Sequence, residues 1–195
     1  MGKSGIVIFS LLIVSMFLIA GCKQEAVGFN SAVNSKGNAA IKITADDYFM
    51  LYVNGVYSPP NGNSWHEVYL RNLDLMPGSN VITILAGDQG GDEGVLFELT
   101  YNGLIAEKSD KTWKAKDITE LSKEEQNKLI AESNNPTFDD SNWEPVTENM
   151  KKTLQQRPKG FYKANWIWGK ETKKGTVYAF RKVTSSIDVF NNFNN

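Results

Sequence analysis

The chain has little cysteine, little histidine and no excess of either charge. Among its 195 residues there is one cysteine, Cys22, and one histidine, His66. One cysteine excludes an intramolecular disulfide, and with one histidine it excludes the thiolate- and imidazole-rich shells of structural zinc sites. Packing alone must then hold the fold. The 21 Lys and Arg balance 22 Asp and Glu, which excludes the strongly basic surface that binds nucleic acid. Charged residues are 22% and aromatics 11% of the chain, a composition that suits a globular domain. No glycine-rich phosphate loop opens a helix, and no Ser–His–Asp spacing stands out. Carboxylates are plentiful, but no pair is singled out for glycoside hydrolysis. The expectation is a protein that is not an enzyme.

Long apolar runs are scarce too, with one exception. Residues 5–20 are apolar apart from two serines, Lys3 precedes them, and no acid interrupts them. This is the pattern of a signal segment. It is short for a membrane-spanning helix, which needs about 20 apolar residues. The run closes on Leu18-Ile19-Ala20-Gly21-Cys22, which resembles the lipobox of bacterial lipoproteins. The resemblance implies a lipid thioether on Cys22, cleavage before Cys22, and acylation of the new amino terminus, with palmitate a typical chain. A plain secretory signal is the alternative, because Ala20 and Gly21 suit its cleavage site as well. A lone cysteine without a disulfide partner in an exported protein favours the lipobox. Each buried acyl methylene contributes about 0.8 kcal/mol and one chain holds weakly, so several chains together make a stable anchor. The protein is expected at the cell membrane, lipid-anchored. Lys23 stands where an aspartate would retain a Gram-negative lipoprotein at the inner membrane, so a Gram-negative source would place it at the outer membrane.

Removal of residues 1–21 takes away Lys3 and no acid, leaving 20 basic against 22 acidic side chains. Residues 22–39 are polar and without periodicity, and read as a flexible tether. Residues 40–185 form one domain, and 186–195 a frayed tail. The domain reads as mainly β. Ile41 and Ile43 alternate with polar neighbours. Residues 47–53 are apolar or aromatic at both parities, which predicts a strand buried on both faces or lying at a packed centre. Asn54-Gly55 ends it. Residues 65–70 and 80–86 are further strand candidates, with Pro59-Pro60-Asn61-Gly62-Asn63 and Gly87–Gly94 as loops. Residues 95–101 alternate into Asn102-Gly103, the sharpest hairpin signal. Strands follow at 111–115, 165–168 and 176–184. Ser122-Lys123-Glu124-Glu125 fits a capping box and predicts a helix over 122–132, with a tail at 150–156. Eight or nine short strands point to an antiparallel sandwich.

Five short motifs then occur in order. They are Ala45–Gly55, Leu75-Met76-Pro77-Gly78-Ser79-Asn80-Val81-Ile82, Ser109-Asp110-Lys111-Thr112-Trp113-Lys114, Phe138-Asp139-Asp140-Ser141-Asn142-Trp143, and Asn165-Trp166-Ile167-Trp168 with Val177–Lys182. Together they resemble the galactose-binding-like jelly-roll domains that accompany bacterial glycoside hydrolases, α-L-rhamnosidases among them. The resemblance implies a jelly-roll β-sandwich with a short helical insertion, and a carbohydrate-binding role. The helical segment, residues 147–163 and the lack of an attached catalytic domain depart from the family pattern.

Trp113, Trp143, Trp166 and Trp168 sit inside these motifs and are expected in the core, with Trp166 and Trp168 sharing one strand face. Trp65 follows a loop and precedes His66 and Glu67, so these three are candidate ligand contacts. In the glycine-rich loop, Asp88, Asp92 and Glu93 are candidates to accept hydrogen bonds from sugar hydroxyls, or as a weaker alternative to hold a structural Ca²⁺. No other cofactor is expected. The partners expected are the membrane through the lipid, a glycan, or alternatively an envelope protein that the domain docks.

Overall fold

The structure is a computed structural model that describes residues 39–148 and 157–185. The signal segment, the tether, the expected helical tail at 150–156 and residues 186–195 lie outside them. Two six-stranded antiparallel sheets face each other. The first contains β1 (Ala39–Asp46), β4 (Tyr69–Leu73), β6 (Gly94–Tyr101), β7 (Leu104–Lys108), β10 (Thr147–Glu148) and β11 (Ile167–Trp168). Its order is β10-β11-β6-β1-β4, with β7 also on β6. The second runs β3 (Val56–Gly62), β2 (Tyr48–Val53), β5 (Ser79–Gly87), β12 (Val177–Ser185), β8 (Lys114–Asp117), β9 (Glu144–Pro145). One helix, α1 (Lys123–Ser133), lies among the described residues. The expected mainly β sandwich with a short helical insertion is therefore what forms. Twelve strands lie among the described residues, more than the eight or nine predicted, because several are only two residues long.

Alternation drives the assembly. Ile41, Ile43, Phe97 and Leu99 from the first sheet meet Phe49, Leu51, Ile84 and Phe180 from the second in one core. A fully buried phenylalanine of this kind contributes about 1.5–3 kcal/mol. Burial on both faces, predicted for 47–53, falls instead on β5 and β6. In β2 only Phe49, Leu51 and Val53 are buried, and Tyr48, Met50 and Tyr52 are half-buried. The reason is that both sheets carry a roof. On the second sheet, Ile130 and Leu129 of α1 pack with Trp143 and Ile118 against Leu85 and Ala179. On the first, Phe161, Ala164 and Trp166 pack against Leu96.

The second roof is a strap at 157–166. It is held by Glu98, a fully buried acid whose Oε1 accepts the amide hydrogens of Tyr162, Lys163 and Ala164. Lys42 Nζ donates to the Gly160 carbonyl at 2.8 Å, and Ser109 Oγ to that of Asn165 at 2.7 Å. Trp166 belongs to this outer layer, whereas Trp168 enters the core between the sheets. The two do not share a strand face as expected, because the strand begins only at Ile167, after Asn165 has anchored the chain to Ser109.

Two further expectations are corrected. The Pro59-Pro60 segment is part of β3 and not a loop. β3 is an edge strand, where missing amide donors cost nothing, and its pairing with β2 slips between Phe49 and Leu51. Residues 65–68 are then the crossing between sheets, and the strand predicted at 65–70 starts at Tyr69.

Candidate functional site

Strand register locates the candidate loops. Asp46 pairs with Gly94, Phe49 with Gly62, Tyr48 and Val177 with Gly87, and Tyr178 with Asp117. Connections 63–68, 88–93, 118–122 and 169–176 therefore leave the sheets at one end, where β1 finishes. Ala39 starts β1 at the other end, roughly 23 Å away at the usual rise per residue. The Gly87–Gly94 loop joins one sheet to the other and is not a hairpin.

Trp65 is half-buried, resting one side of its indole on the layer formed by Leu96, Phe161, Ala164 and Trp166. Its ring lies 3.5 Å from that of His66, with 31° between the planes. Ser64 pins this crossing, since its carbonyl accepts from Thr44 Oγ1 at 3.0 Å. His66 and Glu67 are exposed, and Glu67 Oε2 accepts from the Tyr69 hydroxyl at 2.8 Å.

Asp88 is built differently from the open ligand that the sequence suggests. It is only 3% exposed. Its Oδ1 accepts the Gly90 amide at 2.9 Å, its own amide donates to the Thr176 carbonyl, and its carbonyl accepts from Gly175. Gly90 and Gly91 take φ of 124° and 112°, a backbone that side chains other than glycine rarely adopt. Asp47 accepts from the Gln89 amide and braces the loop from the β1–β2 corner. Asp92 is exposed and Glu93 half-buried. Among the described residues no group of three or more His, Cys, Asp or Glu side chains is gathered as a metal shell. Asp88, Asp92 and Glu93 are thus not brought together for Ca²⁺, because Asp88 is committed to its own turn.

Two adjoining clefts open on the same end. The first, of about 270 Å³, is lined by Lys116, Asp117, Asn142, Glu144, Lys170, Glu171 and Tyr178 with Ala115. The second, of about 370 Å³, shares Asp117 and Glu171 and adds Thr119, Glu120, Leu121, Lys173, Lys174, Gly175 and Thr176. Tyr178 is buried beneath the first, with its hydroxyl accepting the Glu171 amide at 2.9 Å. Burial, and then the charges of Asp117, Glu171 and Glu144, push this phenol above its usual range, so it stays a proton donor. Gly169 leaves room for that ring, since a Cβ there would lie 2.1 Å from it. Thr176 Oγ1, in the second cleft, is buried without a hydrogen-bond partner among the described residues. Sequence reasoning missed these residues. They come from three separate segments, and no local signal marks a cleft assembled that way.

The motif tryptophans have no free face. Trp113, Trp143, Trp166 and Trp168 are each at most 3% exposed. The motif acids build turns that aim these rings inward. Asp110 Oδ1 accepts from Thr112 and its carbonyl from the Trp113 amide. Asp139 Oδ1 accepts the Ser141 amide, and the Asp140 carbonyl that of Trp143. Compared with protein-family models, with curated proteins and with solved structures, the chain matches none.

Proposed function

We propose that the protein is a membrane-anchored, non-catalytic binding lipoprotein of the cell envelope. Its galactose-binding-like jelly-roll domain takes a glycan at the loop rim. The observation that supports this reading is the convergence of residues 63–68, 88–93 and both clefts at the end opposite Ala39. Ala39 is where the chain from Cys22 joins the sandwich. Ligand-binding groups at the opposite end are clear of the point where the tether enters the domain. The half-buried Trp65 indole, stacked with the exposed His66 ring, offers its exposed edge to a sugar ring and the imidazole beside it a hydrogen-bonding group. The mixed carboxylates and ammonium groups of the clefts offer acceptors and donors to hydroxyls.

Glycan arrays and polysaccharide pull-down test it. Trp65→Ala is expected to weaken retention about tenfold or more, as loss of a central aromatic contact does. Silence of the folded protein across a broad panel counts against the glycan. Crosslinking in cells that recovers one stoichiometric envelope protein would put a protein partner in its place. Release of reducing sugar, lost in Glu171→Gln, would replace binding by hydrolysis.

A further inference from the structure

The end of the sandwich at which β1 starts has its own character. Six large apolar side chains are exposed among the described residues, and four lie on turns or strand starts here: Val56 at 70%, Leu104 at 54%, Met76 at 49% and Tyr57 at 41%. These positions are held firmly. Asn54 Nδ2 donates to Asn80 Oδ1 at 2.9 Å, and Asn80 in turn exchanges hydrogen bonds with the Met76 amide and carbonyl. Leu104 follows the tight Asn102-Gly103 turn, whose φ values are 49° and 82°. Ala39 sits between Leu73 and Tyr101, in the midst of these tips.

Charge is distributed in the opposite sense. Residues 53–57, 73–80 and 101–104 contain one charged side chain, Asp74. The connections at the far end, 63–68, 88–93, 118–122 and 169–176, contain nine. An end that is apolar, nearly uncharged and rigid loses little when it leaves water, since few charges need desolvation.

We infer that this end rests on the lipid bilayer, with Val56, Met76 and Leu104 in the interfacial layer and Tyr57 at its border. The inference rests on the lipid anchor proposed above. The occupant follows from where the chain goes: residues 22–39 span at most roughly 60 Å even when extended, and they join the sandwich at Ala39. Of the two ends, this one lies nearer to the anchor along the chain. Shallow apolar contacts of this kind add to acyl anchoring, and a tyrosine suits the headgroup level. Seated so, the domain turns its charged rim outward.

The test uses the full chain, lipidated in a bacterial host and reconstituted in phosphatidylethanolamine–phosphatidylglycerol vesicles. Once lipid occupies the Cys22 sulfur, an introduced cysteine is the one free thiol in the protein. An environment-sensitive fluorophore is placed at Leu104→Cys and, as the far-end control, at Gln89→Cys. Lipid-borne nitroxides are expected to quench the label at 104 several-fold more than the label at 89. Adding Val56→Asp is expected to weaken quenching at 104 while circular dichroism stays unchanged. Equal quenching at both sites, or none at 104 in vesicle-bound protein, overturns the inference and leaves the anchor standing. Absence of lipid mass on Cys22 removes both. Self-association of the Cys22→Ser chain that Val56→Asp abolishes would assign this end to a second copy, and so also overturn the inference.

Discussion

Glu98 and Asp110 show what single side chains do here. Glu98 has no exposed surface, yet one carboxylate oxygen receives three backbone amides of the strap. Hydrogen bonds to a charged group contribute about 1.5–3 kcal/mol each, and the buried Ala164 amide would be left without a partner. Glu98→Ala is therefore expected to lower unfolding free energy by about 3–5 kcal/mol in urea titration, with Glu98→Gln in between. A loss under about 0.5 kcal/mol, the range of an ordinary surface change, would refute this role. Asp110 acts at the acid end of the pH scale. Burial raises its pKa, but hydrogen bonds from Thr112 and Lys108 outweigh that and lower it from 3.8 to about 2. A carboxylate whose folded pKa is depressed adds stability above its unfolded value, and that stability is lost as pH falls through the folded one. The loss should appear between pH 3.8 and about 2. Asp110→Asn should flatten that part of the stability profile; an unchanged slope would show that Asp110 does not carry it. The strand that Asp110 leads into was legible from its motif, although it starts at Lys114 and not at 111. The task of Glu98 was not, because an acid inside an alternating strand reads as a solvent-facing residue until something covers that face.

At the scale of elements, the helix joins a local signal to a distant one. Its start is written locally: Ser122 Oγ accepts the Glu125 amide, and Glu125 returns a bond to the Ser122 amide at 2.8 Å. Ser122→Ala should cost about 1 kcal/mol, seen as faster amide exchange in the first turn. The end of the helix has no basic residue in its last turn. That part is played by Arg181 of β12, whose side chain is 2% exposed. Its Nε donates to the Ser133 carbonyl at 2.8 Å and a terminal nitrogen to that of Asn135 at 2.9 Å. It also pairs with Asp140, which Lys114 holds as well. Arg181→Met should cost about 3–5 kcal/mol, and Arg181→Lys should recover little, since an ammonium lacks the planar fork. Full recovery by lysine would show that charge alone matters. Proline gives the contrary lesson. Pro59-Pro60 reads as a break in sequence, yet it lies in a strand. Only the sheet order tells that this strand is an edge.

For the domain as a whole, the tryptophans sample every layer. Trp113 and Trp168 lie between the sheets, Trp143 under the helix, Trp166 in the strap. If the layers support one another, fluorescence and far-ultraviolet dichroism should report a single coincident unfolding transition in urea. Two separated transitions would mean that a roof melts independently. What the sequence by itself determined is whatever depends on neighbours along the chain. That includes the alternating strands, the Asn102-Gly103 hairpin, the capped helix, and the absence of disulfides. What only the tertiary structure decided is whatever depends on which segments meet. The roofs bury β5 and β6 on both faces, and Trp166 and Trp168 part into different layers. Asp88 is drawn into its own turn, and Trp65 and the clefts share an end remote from Ala39. The physical reason is that alternation specifies a face without naming its partner. That partner is set by sheet order and by long-range hydrogen bonds, which leave no periodic mark on the chain.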